Sequence, residues 1–375
     1  MNELMLSLEQ LEREKGISKD VIIEAIEKGI YDACKKDFGK NENTTVHMNR
    51  ETGDIEVVAS KTVVEEVEDT ALEISLENAR MISSKYAVGD TVPVTVTPKN
   101  FGRIAAQQAR SVIVQTIKEE EKRLLFEYFY QREKDVVTGV VQRYVGRNIS
   151  INLGKADAML SESEQVKGEV FRPTERIKVY IVEVKNTSKG PRINVSRTHP
   201  ELVKRLFESE VTEIKDGIVE IKSIAREAGR RTKMAVWSNN PNVDAVGACV
   251  GMNGARVNAI VEELRGEKID IVPWDENPGN LIQNALAPAK VVNVFADPYE
   301  KTAKVVVPDY QLSLAIGNGG QNARLAARLT GYKIDIKSET QAKDAPGFRY
   351  EDYIDDYEDY EDGYEESGEE ESGQE

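Results

Sequence analysis

Cysteine and histidine are nearly missing from these 375 residues, at two each. Cys34 and Cys249 are too few for a disulfide framework or a four-thiolate zinc site, and isolated thiols suit a reducing compartment. A Ser/His/Asp triad would have to use His47 or His199, and the chain has no Gly-x-Ser-x-Gly elbow to carry a nucleophile. A Gly-x4-Gly-Lys-Ser/Thr phosphate loop is also absent. Gly317-Asn318-Gly319-Gly320 breaks the dinucleotide fingerprint, because Asn322 stands where a glycine belongs. No apolar run approaches the ~20 residues needed to cross a bilayer, and Met1–Gly16 is charged and amphipathic, without the apolar stretch of a signal peptide. These absences lead to the expectation of a cytoplasmic, non-enzymatic protein with no cofactor, no metal and no membrane association.

What is present is charge, unevenly spread. The formal net charge of −16 would argue against a polyanionic partner, but −14 of it falls on residues 344–375, where 15 acids face the single base Arg349. That tail alternates acids with Tyr350, Tyr353, Tyr357, Tyr360 and Tyr364 and has too few aliphatic groups to offset ordering entropy, so it is expected to be disordered. An alternative role is that of a tethered RNA mimic competing for the protein's own RNA path. Residues 1–132 carry −6, residues 133–199 carry +4, and residues 200–343 are neutral.

Residues 1–132 read as an α/β domain. Leu4, Leu8 and Leu11 form one helical stripe, and Ser18 is placed to cap a second helix with the face Ile22, Ile26, Ile30. Thr44–Met48 and Ile55–Ser60 flank a turn and read as a hairpin. Thr91–Thr97 reads as an edge strand because of Pro93, and a long charged helix is expected from Ile104 towards Tyr130. Residues 133–199 hold short β-rich runs at Val136–Tyr144, Asn148–Leu153, Ile177–Lys185 and Arg192–Ser196, punctuated by glycines. Five short strands in this length predict a closed OB-like barrel. Its net positive charge points to nucleic acid, with Tyr144 and Phe171 as candidate stacking residues.

Residues 200–343 contain an internal repeat. Gly251-Met252-Asn253-Gly254 precedes a helix and then Gly266-Glu267-Lys268-Ile269-Asp270-Ile271. Gly317-Asn318-Gly319-Gly320 precedes a helix and then Gly331-Tyr332-Lys333-Ile334-Asp335-Ile336. The first glycines lie 66 residues apart and the closing motifs 65. Each copy is predicted to run helix, strand, strand, helix, Gly-x-x-Gly, helix, strand. Two glycines three apart permit a tight turn whose backbone, at a helix N-terminus, approaches a phosphate closely. This is the working principle of the KH module, which clamps about four nucleotides. Arg226, Arg230, Arg231 and Lys233, around Gly229, form a second phosphate-binding candidate.

An α/β head, an OB-like barrel and two KH units in this order resemble the NusA family of bacterial transcription elongation and termination factors. The resemblance covers residues 1 to about 343 and rests on Ser196-Arg197-Thr198, on Ile224 to Lys233, on Asp244 to Gly251, on Gly320 to Ala326 and on Gly102 to Gln108. It implies a multidomain α+β protein: an α/β N-terminal polymerase-binding domain (1–132), an S1-type OB-fold β-barrel (133–199), two tandem type II KH domains (200–278 and 279–343) and the acidic tail (344–375). It also implies binding of RNA polymerase at the β-flap, binding of nascent single-stranded RNA, and action in pausing, intrinsic termination and, with other Nus factors, antitermination. A monomer is expected.

One departure from the family is the lack of Lys or Arg inside either glycine loop. The expected RNA-binding set is therefore the loop residues Gly251, Met252, Asn253, Gly254, Gly317, Asn318, Gly319 and Gly320 with Gln321 and Asn322, while the backbone amides, Arg256 and Arg324 are expected to supply the phosphate contacts, with modest affinity. An RNA-binding scaffold in ribosome assembly or RNA processing is the competing class. A phosphorolytic ribonuclease fits less well, because a head of ~130 residues without an evident metal-binding carboxylate cluster is small for its catalytic core.

Overall fold

The computed structural model describes residues 3–38, 43–70, 72–95 and 101–348, without the side chains of 3, 4, 33–38, 101–106, 108 and 109. Cys34's side chain and the tail from 349 onward, expected above to be disordered, thus lie outside the described residues. The chain divides into two compact units, one of Met1–Tyr128 with Asn186–Pro191, the other of Phe129–Lys185 and Arg192 onward.

In the first unit, α1 (Glu3–Lys15) and α2 (Lys19–Phe38) pack through Met5, Leu8, Ile22, Ile23, Ile26 and Ile30. The Ser18 hydroxyl accepts the Asp20 amide at 3.3 Å as α2 begins. The hairpin of β1 (Thr44–Met48) and β2 (Ile55–Val64) forms as read, in the register Met48↔Ile55. Asn49 Oδ1 holds its turn by accepting the amides of Glu51 and Thr52. β3 (Glu73–Ser75) pairs parallel with β2 and leads into α3 (Leu76–Ile82), capped by Ser75. β4 (Thr91–Thr95) pairs with β2 alone among the described strands, in keeping with Pro93. The long helix α4 (Phe101–Tyr130) follows.

The second unit opens with a closed barrel of β5 (Val136–Val145), β6 (Asn148–Asn152), β7 (Asp157–Leu160), β8 (Arg176–Thr187) and β9 (Gly190–Ser196), in the order β5-β6-β7-β9-β8. β7 is the fifth strand that the count required and the pattern did not locate. Alternate positions such as Ile149, Ile151, Ile177, Val179 and Ile181 fill the barrel.

The first repeat unit consists of α5 (Pro200–Glu210), α6 (Thr212–Lys215), β10 (Val219–Glu227), β11 (Arg231–Ser238), α7 (Ala245–Val250), α8 (Ala255–Glu263) and β12 (Lys268–Pro273). The second consists of α9 (Pro278–Ala285), β13 (Asn293–Asp297), β14 (Thr302–Val307), α10 (Leu312–Ile316), α11 (Gln321–Thr330), β15 (Lys333–Ser338) and α12 (Glu339–Ala342). In both, the first strand pairs antiparallel and the last parallel with the middle one, and the registers correspond: Arg231↔Lys268 and Thr302↔Lys333. β13 starts at Asn293, three residues after the Lys290 expected for it.

Each sheet has helices on one face, and the two opposite faces are covered differently. The far face of the first sheet contributes Ala225, Ala235 and Val272 to a core shared with Leu281, Ile282, Leu325 and Ala326 of α9 and α11. The far face of the second sheet is closed by the chain itself: Ala342, Ala345 and Phe348 pack on Val306, with Lys337 4.3 Å and Lys304 5.7 Å from the Phe348 ring centre. Packed structure thus extends to Phe348, beyond the expected end at 343.

Candidate nucleic-acid interface

The two glycine loops share one backbone. Gly251 and Gly317 stand at φ 74°, ψ 173° and φ 76°, ψ 172°, a region open essentially to glycine alone. Asn253 and Gly319 are left-handed at φ 52° and 58°, and Gly254 and Gly320 at φ 76° in both. A Cβ on Gly251 would lie 2.8 Å from Arg256 Cγ, and one on Gly317 2.8 Å from the Asn322 backbone nitrogen. Helices α8 and α11 start directly after these turns, and no side chain caps either N-terminus. First-turn amides thus face outward with the positive end of the dipole, as a phosphate site requires. Met252 is 85% exposed, and Asn253, Asn318 and Gly319 are exposed beside it.

Most basic residues expected to assist have other work. Arg256 donates to Ala248 O at 2.6 Å and pairs with Glu213 at 3.0 Å, so it braces the turn from beneath. Arg324 donates to Glu227 at 3.1 and 3.2 Å and to Gly319 O. Gln321 donates to the same carboxylate at 2.9 Å. These bonds from Gln321 and Arg324 hold Glu227 below the usual carboxylate range. Asn322 is buried and donates to Leu286 O and Ala315 O, both at 3.0 Å. It fixes the loop to the domain instead of meeting RNA.

The Arg226–Lys233 cluster is also corrected. Arg226 is buried and forms two 2.9 Å bonds to Glu267, with a third to His199 O. Glu267 also accepts from Thr232 Oγ1 and the Gly229 amide. Burial alone would raise its carboxyl, but these donors, Arg226 foremost, hold it below the usual range. Lys233 is fully buried, 2.8 Å from Ala287 O and 3.1 Å from Asp270. Burial pushes its ammonium below the ordinary amine range despite the Asp270 charge. Arg231 is bidentate to Asp270 at 2.7 and 2.9 Å. Arg230 alone of the four is exposed without a side-chain partner.

The two aromatics separate. Tyr144 is 47% exposed, and its hydroxyl is tethered to the Phe171 backbone, accepting from N–H at 3.2 Å and donating to C=O at 3.1 Å. Its ring remains available for stacking. Phe171 is withdrawn from that role: it is buried, with Arg197 5.5 Å and Arg265 5.1 Å from its ring centre. Sequence reading missed the acids that neutralise the arginines, Glu213, Glu227, Glu267 and Asp270. Strand pairing is what reveals such partners: Lys233 and Asp270 stand opposite in the parallel register, and so do Lys304 and Asp335 in the second repeat.

Among the described residues, no helix is long and apolar enough to cross a membrane, and no His/Cys/Asp/Glu cluster is arranged to hold a metal.

Family profiles match along the chain in order: the NusA N-terminal domain at residues 3–123, the S1 RNA binding domain at 130–196, the NusA-like first KH domain at 197–274 and the NusA-like second KH domain at 278–344. The chain is 56% identical over 343 residues to the transcription termination/antitermination protein NusA of Bacillus subtilis, covering 92% of each chain. It is equally similar to the protein of that name from Halalkalibacterium halodurans, covering 92% of this chain and 90% of the relative. It is 42% identical to that from Thermus thermophilus, covering 89% of each.

Proposed function

The chain belongs to the NusA family, and on that premise we propose that it acts on transcribing RNA polymerase, binding the enzyme and its nascent single-stranded RNA to modulate pausing, intrinsic termination and antitermination. The observation that carries the RNA half is the pair of glycine loops with matched dihedrals, each opening an uncapped helix N-terminus. Loop amides and the exposed residues Met252, Asn253, Asn318 and Gly319 meet the strand, Arg230 adds an ion pair to phosphate, and Tyr144 offers a stacking face. Arg324 and Gln321 join only by exchanging Glu227 for a phosphate, and Arg256 only by leaving Glu213. Affinity is therefore modest and depends on backbone more than on side-chain charge.

The N-terminal unit is the polymerase-binding part, directed to the β-flap, and the protein works as a monomer alongside other Nus factors. Crosslinking in a paused elongation complex with the full chain tests both halves. Nascent RNA is expected to join peptides containing residues 252–254 and 318–320, and polymerase to join peptides within residues 1–128. RNA crosslinks that avoid both glycine loops, or no polymerase crosslink in the N-terminal unit, would overturn the assignment.

A further inference from the structure

A cavity of about 490 Å³ opens where the start of β8 meets α8, within the second unit. Its floor includes Ile177 and Arg197, both buried. Arg197 is saturated: it donates to Glu169 at 3.0 Å, to Lys178 O at 2.9 Å and to Glu263 O at 3.0 Å. Glu263 in turn accepts the Lys178 amide at 3.1 Å. Arg265, held left-handed at φ 58° where α8 ends, lies over the Phe171 ring and pairs with Glu175. Two charged side chains lining the cavity remain, Arg176 and Glu262, both exposed and neither with a side-chain partner.

We propose that this cavity is a base pocket for guanine, presented by a single-stranded RNA. The proposal rests on the RNA-binding reading above and extends it to a site away from the glycine loops. A bare phosphate would meet Glu262, and a bare cation would meet Arg176. A ligand that satisfies both must carry donors and acceptors on neighbouring edges. Guanine presents N1–H and N2–H2 side by side, the pair of donors that a carboxylate accepts, and O6 with N7, the pair of acceptors that a guanidinium fills. Adenine, cytosine and uracil lack the adjacent donor pair. The volume is that of an ordinary small-ligand pocket, and unstacked bases of single-stranded RNA are the ones that expose these edges. A free guanine nucleotide has the same chemistry.

The test uses the full chain and three labelled ten-nucleotide RNAs: oligouridine, the same strand with one central guanine, and the same with inosine, which lacks the N2 amino group. Binding to the guanine strand is expected to be about tenfold tighter than to oligouridine, with inosine between them. Glu262→Ala and Arg176→Ala, both at exposed positions, should each remove the preference while leaving oligouridine affinity and melting temperature unchanged. GMP that abolishes only the guanine increment, or that binds saturably and loses binding in Glu262→Ala, shows the pocket also takes the free nucleotide. Equal affinity for all three RNAs with no GMP binding, or a preference untouched by both substitutions, overturns the pocket alone. Failure to bind any of the RNAs would instead strike the RNA-binding reading.

Discussion

Arg226 and Arg230 sit four positions apart on one hairpin, yet opposite consequences follow from truncating them. Arg226 is buried against Glu267, so Arg226→Ala leaves an uncompensated buried carboxylate, and a loss of about 3–5 kcal/mol is expected in chemical denaturation at pH 7. The pH dependence reverses as well. In the native chain Glu267 is depressed below its unfolded value of about 4.5, so its stabilisation is complete above that pH and is lost as the medium becomes more acid. Without Arg226, burial dominates and raises the carboxyl, so the variant should gain stability between pH 7 and pH 5 while the native protein gains none. Denaturation curves at both pH values check this. Arg230→Ala should leave those curves unmoved and lower the slope of log affinity against log salt by about 1. Local charge counting treated the two arginines alike, because the carboxylate that separates their roles lies 41 residues from Arg226 and cannot be assigned before the strands are paired.

The helix–loop–helix elements were legible in the sequence for a definite reason. A positive φ at ψ near 170° admits only glycine, so the backbone requirement is written into residue identity at Gly251 and Gly317. The matched 66-residue spacing then shows that the requirement recurs in one context. What the elements do with their side chains was less legible: Arg324 finds Glu227 97 residues away, and Asn322 is buried by a helix from its own unit. The loops also predict their own improvement. Met252 is exposed in the first loop, so Met252→Lys supplies the phosphate contact that both loops lack. Tighter RNA binding with a salt slope steeper by about 1 is expected, at unchanged melting temperature. Gly317→Ala should do the reverse, weakening RNA binding through a displaced backbone, since its Cβ would meet the Asn322 nitrogen at 2.8 Å. Filter binding across a salt series compares the three proteins.

Across the molecule, composition shifts located the head, barrel and repeat, because each has its own balance of charge and apolar periodicity. They did not show that the first sheet's far face would be covered by α9 and α11, since Ala225, Ala235 and Val272 are small residues with no pattern naming their partner. Nor did they reveal the closing turn at Phe348, whose neighbours in sequence already belong to the acidic stretch. That turn governs where the chain should be cut. A protein ended at Lys343 loses Ala345 and Phe348, baring Val306 together with the Lys304 and Lys337 ammonium groups, whereas one ended at Phe348 keeps the face shut. The shorter protein should melt earlier by differential scanning fluorimetry and adsorb RNA through two lysines that the intact chain keeps against an aromatic ring. An increase in RNA affinity after trimming at 343 would thus mix two causes, removal of fifteen acids and exposure of two cations. Only the cut at 348 isolates the electrostatic contribution of the tail.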